Sequence, residues 1–488
     1  MAMPGIRTQV GILATLSLGF VLLYAGLYPP TYSIIDEQGY ISYGLVLAEG
    51  TLFSDVAGVR AARSEHGANG HLVPEFGYGT SALLAPFVTI DWRASFAVIG
   101  IVHLLGSWLC ALALRRCGLP PIYAVLYLLH PVGVLYSRTA MADVPSATLM
   151  MAAVAAWAGD RKNPWLTGLV LGLAPHFRVA LVVPVAAFGA VVLIRDVVAS
   201  RRAGRVDLGC TLRVALGLLP GVASWLALNS VAYGGPFDVP VVYPLSLAYV
   251  SENLPRYLLS QNLIYPGMLL VALLFPSRLR LEAGFVAVAT IALYCTYRFL
   301  YTGFGPLSAI VIGDRFFLPL FPFLVIPYVA AIDTAILRIP RWRPLLLGLG
   351  VAVLAIAATG ISVAHQQRLE NQAQLQRLIY DSTPHEAVII VPDMTAYEHF
   401  FDPLGVRFPV LGTWLDLEPA PSPYMELVEA SLPDVFLLLV DRLDRPPRER
   451  GAKLLQSLQE KFELRLVEDR VTPPDRLRLF RLQSRHPR

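Results

Sequence analysis

Residues 31–50 read TYSIIDEQGYISYGLVLAEG and directly follow the first long apolar run of the chain. Two adjacent acids, Asp36 and Glu37, therefore stand where a helix would leave a membrane. Carboxylates at such a place are costly to bury and by default mark a functional site. Whether the run before them is a membrane span decides the fold.

The composition says that it is. Hydrophobic residues make up 55% of the 488 and charged residues only 15%, the balance of a polytopic membrane protein with a polar tail. Apolar runs able to cross a bilayer lie near 10–28, 94–114, 120–137, 143–158, 165–175, 178–194, 209–227, 259–275, 283–300, 316–336 and 344–363, about eleven spans in all. The first run is not read as a cleavable signal peptide, because Tyr28, Pro29 and Pro30 follow it without a small-residue cleavage pattern.

The formal net charge of +4 comes from short basic clusters between apolar runs, which argues against a nucleic-acid surface and for a topological role. Arg115 and Arg116, Arg161 and Lys162, Arg195 to Arg205, Arg278 and Arg280, and Arg338 to Arg343 all fall on one side. That side is read as cytoplasmic, together with the N-terminus. Loops 29–93, 228–258 and 301–315, richer in Tyr, Gly, Pro and acids, are then outside, as is the C-terminus. The expected location is the plasma (inner) membrane. One interrupted helix around Ala174, Pro175 and His176 would make the count even and move the tail to the cytoplasm. Cys110, Cys117, Cys210 and Cys295 lie in spans or at their cytoplasmic ends, so no disulfide or thiolate zinc site is expected.

From about residue 365 the hydropathy falls. The runs 387–391, 434–440, 462–467 and 477–482 read as strands, and RLENQAQLQRLIY and RERGAKLLQSLQEKF carry helical spacing. The expected fold class is mainly α: a polytopic transmembrane helix bundle over 1–364, with a small α/β domain over 365–488 on the outer face. No glycine-rich phosphate loop follows a strand in the tail.

The remaining polar residues of interest gather on the expected outer side. Asp36 and Glu37 open a loop of roughly sixty residues, long for a mere connection. The competing reading has Asp36 capping an interfacial helix from Gln38 to Leu47. Asp143 lies in HPVGVLYSRTAMADVPSATLMM, two residues before Pro145, and reads as a helix N-cap. Arg138 stands five residues earlier, His176 and Arg178 lie in LAPHFRVALVVP, and Arg315 opens GDRFFLPLFPF. Each arginine could simply snorkel to the headgroups; together they describe a cavity with acids and planar, phosphate-binding cations. Tyr40 and Tyr78 suit stacking on a sugar ring. Glu65, His66, His71 and Glu75 match no helix-face ligand spacing, so a divalent cation is at most an optional cofactor. His103 and His130 read as packing residues.

The acidic pair, the R-x4-D-x-P arrangement of Arg138, Asp143 and Pro145, and the stretch DRFFLPLFPFL resemble the GT-C superfamily of membrane glycosyltransferases. The layout is similar to protein O-mannosyltransferases and lipid A aminoarabinose transferases. The resemblance implies sugar transfer on the outer face from a polyprenyl-phosphate donor to a glycan, lipid or protein acceptor. It implies Asp36 as general base, Glu37 orienting the acceptor or a metal, and Arg138, Arg178 or Arg315 at the leaving phosphate, with inversion at the anomeric carbon. The aminoarabinose transferases carry a lysine before a Pro-Pro pair late in the first loop. This chain has HLVPEFGYGTSALLAP there, with Glu75 and no lysine. The rival class is a transporter or flippase of lipid-linked sugars, which usually shows paired repeats and midplane charges; here the charges cluster at one surface.

Overall fold

The computed structural model describes residues 5–54, 64–68, 71–239, 245–297, 315–339, 341–392, 408–411, 428, 430–432, 434–442, 449–472 and 475–485. Residues 301–314 of the third expected outer loop, and the side chains of Glu65 and His66, lie outside the described residues.

The apolar runs fold as helices because a chain in lipid must satisfy its backbone hydrogen bonds internally. In order they are α1 (Ile6–Gly26), α2 (Ile35–Ala48), α3 (Tyr78–Val88), α4 (Ala94–Arg116), α5 (Val125–Leu128), α6 (Pro131–Tyr136), α7 (Asp143–Trp157) and α8 (Pro164–Gly172). Then come α9 (Ala174–Phe177), α10 (Val182–Ala203), α11 (Gly209–Tyr233), α12 (Val250–Leu263), α13 (Met268–Leu274), α14 (Arg280–Thr296), α15 (Phe321–Leu337) and α16 (Arg343–Ser382). A two-stranded hairpin, β1 (Ser64–His66) with β2 (Leu72–Pro74), sits between α2 and α3.

Among the described residues, five helices are long and apolar enough to cross a membrane, and six if the pair α12 and α13, bent by 90°, makes one span. The expected runs at 10–28, 94–114, 178–194, 209–227 and 344–363 fall on those five. The run at 120–137 is instead a 3-10 turn followed by α5 and α6, because Pro120, Pro121 and Pro131 each remove a backbone donor. Leu22, Leu219 and Ile356 keep large apolar side chains on the surface, as a lipid-facing wall requires. The chain is an integral membrane protein.

Helix α8 crosses α11 through two pairs of glycines. A Cβ on Gly168 would meet the Val214 carbonyl oxygen at 2.2 Å, and one on Gly217 the Trp165 carbonyl oxygen at 2.4 Å. Gly172 and Gly221 repeat this contact one turn further along, so four small residues let two backbones touch.

α16 is one unbroken helix of 40 residues. It carries both the last expected span and the helix expected at the head of the tail, so the boundary at 364/365 lies inside it. Beyond it a five-stranded sheet has the order β4-β3-β5-β7-β6, with β3 (Val388–Val391), β4 (Phe408–Leu411), β5 (Val435–Arg442), β6 (Phe462–Thr472) and β7 (Asp475–Ser484). β3 is parallel to β4 and β5, and β7 is antiparallel to β5 and β6. Side-chain alternation along the strands gives the sheet two buried faces. Val388, Ile390, Val435 and Leu437 pack on Leu454 and Leu458 of α17 (Glu449–Lys461). Ile389, Val391, Phe436 and Leu438 join Leu375 and Ile379 of α16, in one cluster with Ile35, Ile41 and Phe96 of α2 and α4.

Candidate active site

The two acids after α1 point to different jobs. The N-cap of α2 is Ile34, which makes Asp36 the second helical residue and Glu37 the third. Glu37 is fully buried. Its Oε1 accepts from the Ser33 backbone N–H at 2.7 Å, the Ser33 hydroxyl at 2.6 Å and the Ile34 N–H at 3.3 Å. Its Oε2 accepts from the Ala140 N–H at 2.8 Å. Burial pushes the Glu37 carboxyl above the usual carboxylate range, while the bonds from Ser33, Ala140 and Ile34 pull it back. Glu37 thus fastens the start of α2 to the turn that leads into α7.

Asp36 is not the cap that the competing reading made it; as the second helical residue it stands at the positive end of the helix. Its Oδ2 lies 4.0 Å from Arg315 Nη2, and its side chain keeps 16% of its surface open. Asp143 is not an N-cap either: the cap is Ala142 and Asp143 is the first helical residue. Its Oδ1 accepts from Arg178 Nη1 at 2.8 Å. Its Oδ2 is buried and has no hydrogen-bond partner among the described residues. Capping lost because a guanidinium 35 positions away in sequence offers a charge-assisted bond that a backbone amide cannot match.

Arg178 reaches Asp143 from an extended residue between α9 and the 3-10 turn before α10. Its guanidinium carbon lies 4.9 Å from the centre of the Phe316 ring, and that of Arg315 lies at the same distance from the same ring. Arg315 also lies 5.9 Å from the Tyr136 ring. One aromatic ring thus carries two cations, each with a carboxylate partner. Tyr40, one turn after Asp36, is buried against Phe76 with ring centres 5.1 Å apart, within the field of Arg178, Asp143, Asp36 and Arg315. Burial pushes its phenol up.

The structure brings together Asp36, Asp143, Arg178, Arg315 and Tyr40. It takes the other expected residues elsewhere. Arg138 is buried, and its Nη2 donates to Gln366 Oε1 of α16 at 2.6 Å. His176 Nε2 lies 3.0 Å from the Gly221 carbonyl oxygen and 2.9 Å from Ser224 Oγ, both on α11. Gly77 and Gly79 let the start of α3 press on the backbone at His176, where a Cβ would come within 3 Å of its carbonyl oxygen. Tyr78 is buried, its hydroxyl donating to the Leu52 carbonyl. Sequence reading missed Phe316, Tyr136 and Phe76 as site residues, since aromatics in apolar runs look like core packing. Among the described residues, no three His, Cys, Asp or Glu side chains gather to hold a metal. His103 and His130 line a small cavity with Tyr127, Leu318 and Phe321.

No family model matches the chain, and no curated protein matches it in sequence. Solved structures do match in fold. ArnT from Cupriavidus metallidurans in the apo state superposes with a TM-score of 0.62 over 97% of this chain and 98% of that one, at 15% identity. The same protein bound to undecaprenyl phosphate gives 0.57 over 96% and 97%, at 13% identity. From its first span to its terminal sheet, the chain has the fold of ArnT.

Proposed function

We propose that the protein is a membrane-integral glycosyltransferase that moves a sugar from a polyprenyl-phosphate donor to an acceptor on the outer face of the inner membrane. The observation that carries this reading is the facing of Asp36 and Arg315 at 4.0 Å, with Arg178 on the same Phe316 ring. A base and cations for a departing anion then share one site. The ArnT structure with undecaprenyl phosphate supports a lipid phosphate as the leaving group.

In this reading Asp36 takes the proton of the acceptor hydroxyl as its oxygen bonds to the anomeric carbon. The bond from that carbon to the phosphate oxygen breaks, and the electron pair leaves with the lipid phosphate. Arg178 and Arg315 meet the charge that develops there. Attack opposite the leaving group inverts the anomeric centre. Asp143 fixes Arg178, and its second oxygen can accept from a sugar hydroxyl. Glu37 acts through position, by holding α2 against the turn at Ala140. No step is routed through a metal. The tail, on the same face as the site, is suited to acceptor recognition.

The test is to reconstitute the protein with a polyprenyl-phosphate sugar and follow loss of the donor. Asp36→Asn should slow turnover by about a hundredfold to ten-thousandfold, the usual contribution of a well-placed base. Unchanged turnover would sink the base, and lipid movement across the vesicle without sugar loss would favour a transporter.

A further inference from the structure

The corner into which Arg138 turns carries more positive charge than its own contacts absorb. Arg138 is only 2% exposed. One of its nitrogens bonds to Gln366; Nε and Nη1 have no hydrogen-bond partner among the described residues. His365, the residue before Gln366 on α16, has a buried Nδ1 in the same condition and lies in the field of both Arg138 and Arg368. Arg368 donates to the Ser33 carbonyl at 3.3 Å. Ser33 is bonded to Glu37, Glu37 to the Ala140 N–H, and Arg138 is two residues before Ala140. The contacts close a ring: Gln366 and Arg368 on one side, residues 33–37 and 138–140 on the other.

The nearby acids accept nothing from the open N–H groups of Arg138. Glu37 is held by the four donors described above. Glu370 accepts from Gln366 Nε2 at 3.0 Å and faces outward. A buried guanidinium with open N–H groups is costly to leave unmatched, more so than a neutral donor. Planar guanidinium donors beside an imidazole fit a tetrahedral anion with several acceptor oxygens. Arg368 is exposed and His365 half-buried, so the corner meets solvent on the α16 side.

We infer that Arg138, His365 and Arg368 form a second anion-binding site that takes a phosphate group, separate from the arginines on Phe316. The anion ties α16 to the turn holding Glu37. The site does not rest on the glycosyl-transfer reading: an Asp36→Asn protein without turnover should bind the anion as the wild type does.

Two probes separate the sources of the phosphate. Inorganic phosphate is titrated onto the full-length protein in detergent, with the shift in unfolding temperature as readout. Phosphatidic acid is offered in phosphatidylcholine nanodiscs and counted by native mass spectrometry. The double variant His365→Phe/Arg368→Gln changes half-open side chains and is chosen to keep the fold; Arg138→Gln is the stronger test if it folds. We expect the double variant to bind at least one probe about tenfold more weakly at this corner, and Arg178→Gln, which weakens the arginine pair on Phe316, to keep the binding event that the double variant loses. Binding of phosphatidic acid alone identifies a lipid headgroup, and binding of inorganic phosphate identifies a free anion. Equal binding by wild type and double variant, loss of every binding event in Arg178→Gln, or no binding of either probe by the wild type overturns the site.

Discussion

Asp36 and Glu37 are chemically near-identical neighbours, and a single residue step around the helix separates their roles. Glu37 is buried with four donors on its two oxygens, whereas Asp36 keeps an open edge beside Arg315. Replacing Glu37 by Gln turns one acceptor oxygen into a donor that must face an N–H group, at a cost of about 1–3 kcal/mol. Denaturant unfolding in detergent should therefore find Glu37→Gln destabilised by that amount and Asp36→Asn close to wild type. Turnover should rank them the other way, with Asp36→Asn the slower. A stable Glu37→Gln protein would remove its proposed positioning role. The location of the pair was legible in sequence, because two acids after an apolar run are conspicuous. The division of labour was not, because it depends on the Ala140 amide, more than a hundred residues away in the chain. Asp143 was misread for the same reason: a cap is a local pattern, and its bond to Arg178 is not.

Among the elements, the crossing of α8 and α11 has the least tolerance. Gly217→Ala must push apart two backbones that lie in contact, an overpacking that typically costs about 1–3 kcal/mol. Gly168→Ala should cost about as much, and the double variant less than the sum, since the first methyl already opens the gap that the second needs. Gly189→Ala on α10 has nothing within 4 Å of the new carbon and should be neutral. Unfolding midpoints of the four proteins check this, and additive losses would deny the shared crossing. The same crossing sets the α11 turn to which His176 is bonded, two residues before Arg178. The sequence showed helices here but not their partner surfaces, because Gly168 and Gly217 stand in different runs and nothing local links them. The tail strands were easier, since a continuous apolar run announces β5 and an alternation announces β7; β4, with Pro409 inside its four residues, did not read as a strand.

At the scale of the molecule, membrane part and tail share one core. Leu375 and Ile379 of α16 lie between the sheet and the α2–α4 region, so the tail is docked rather than tethered. Deleting 383–488 uncovers both residues, each contributing about 1.5–3 kcal/mol when buried. The shortened protein should melt lower than any single variant above and aggregate on size-exclusion chromatography; a monodisperse product with wild-type melting would refute the docking. The fall in hydropathy near residue 365 reads as a domain boundary, and α16 runs through it without a break. Forty residues at about 1.5 Å each make a rod about twice the hydrocarbon thickness. A rod anchored in lipid and fixed to a sheet is a gauge: in a thinner bilayer it must lean or ride higher. Because the tail is docked on the α2–α4 region, tail and site move together, and their common height relative to the bilayer then reports its thickness.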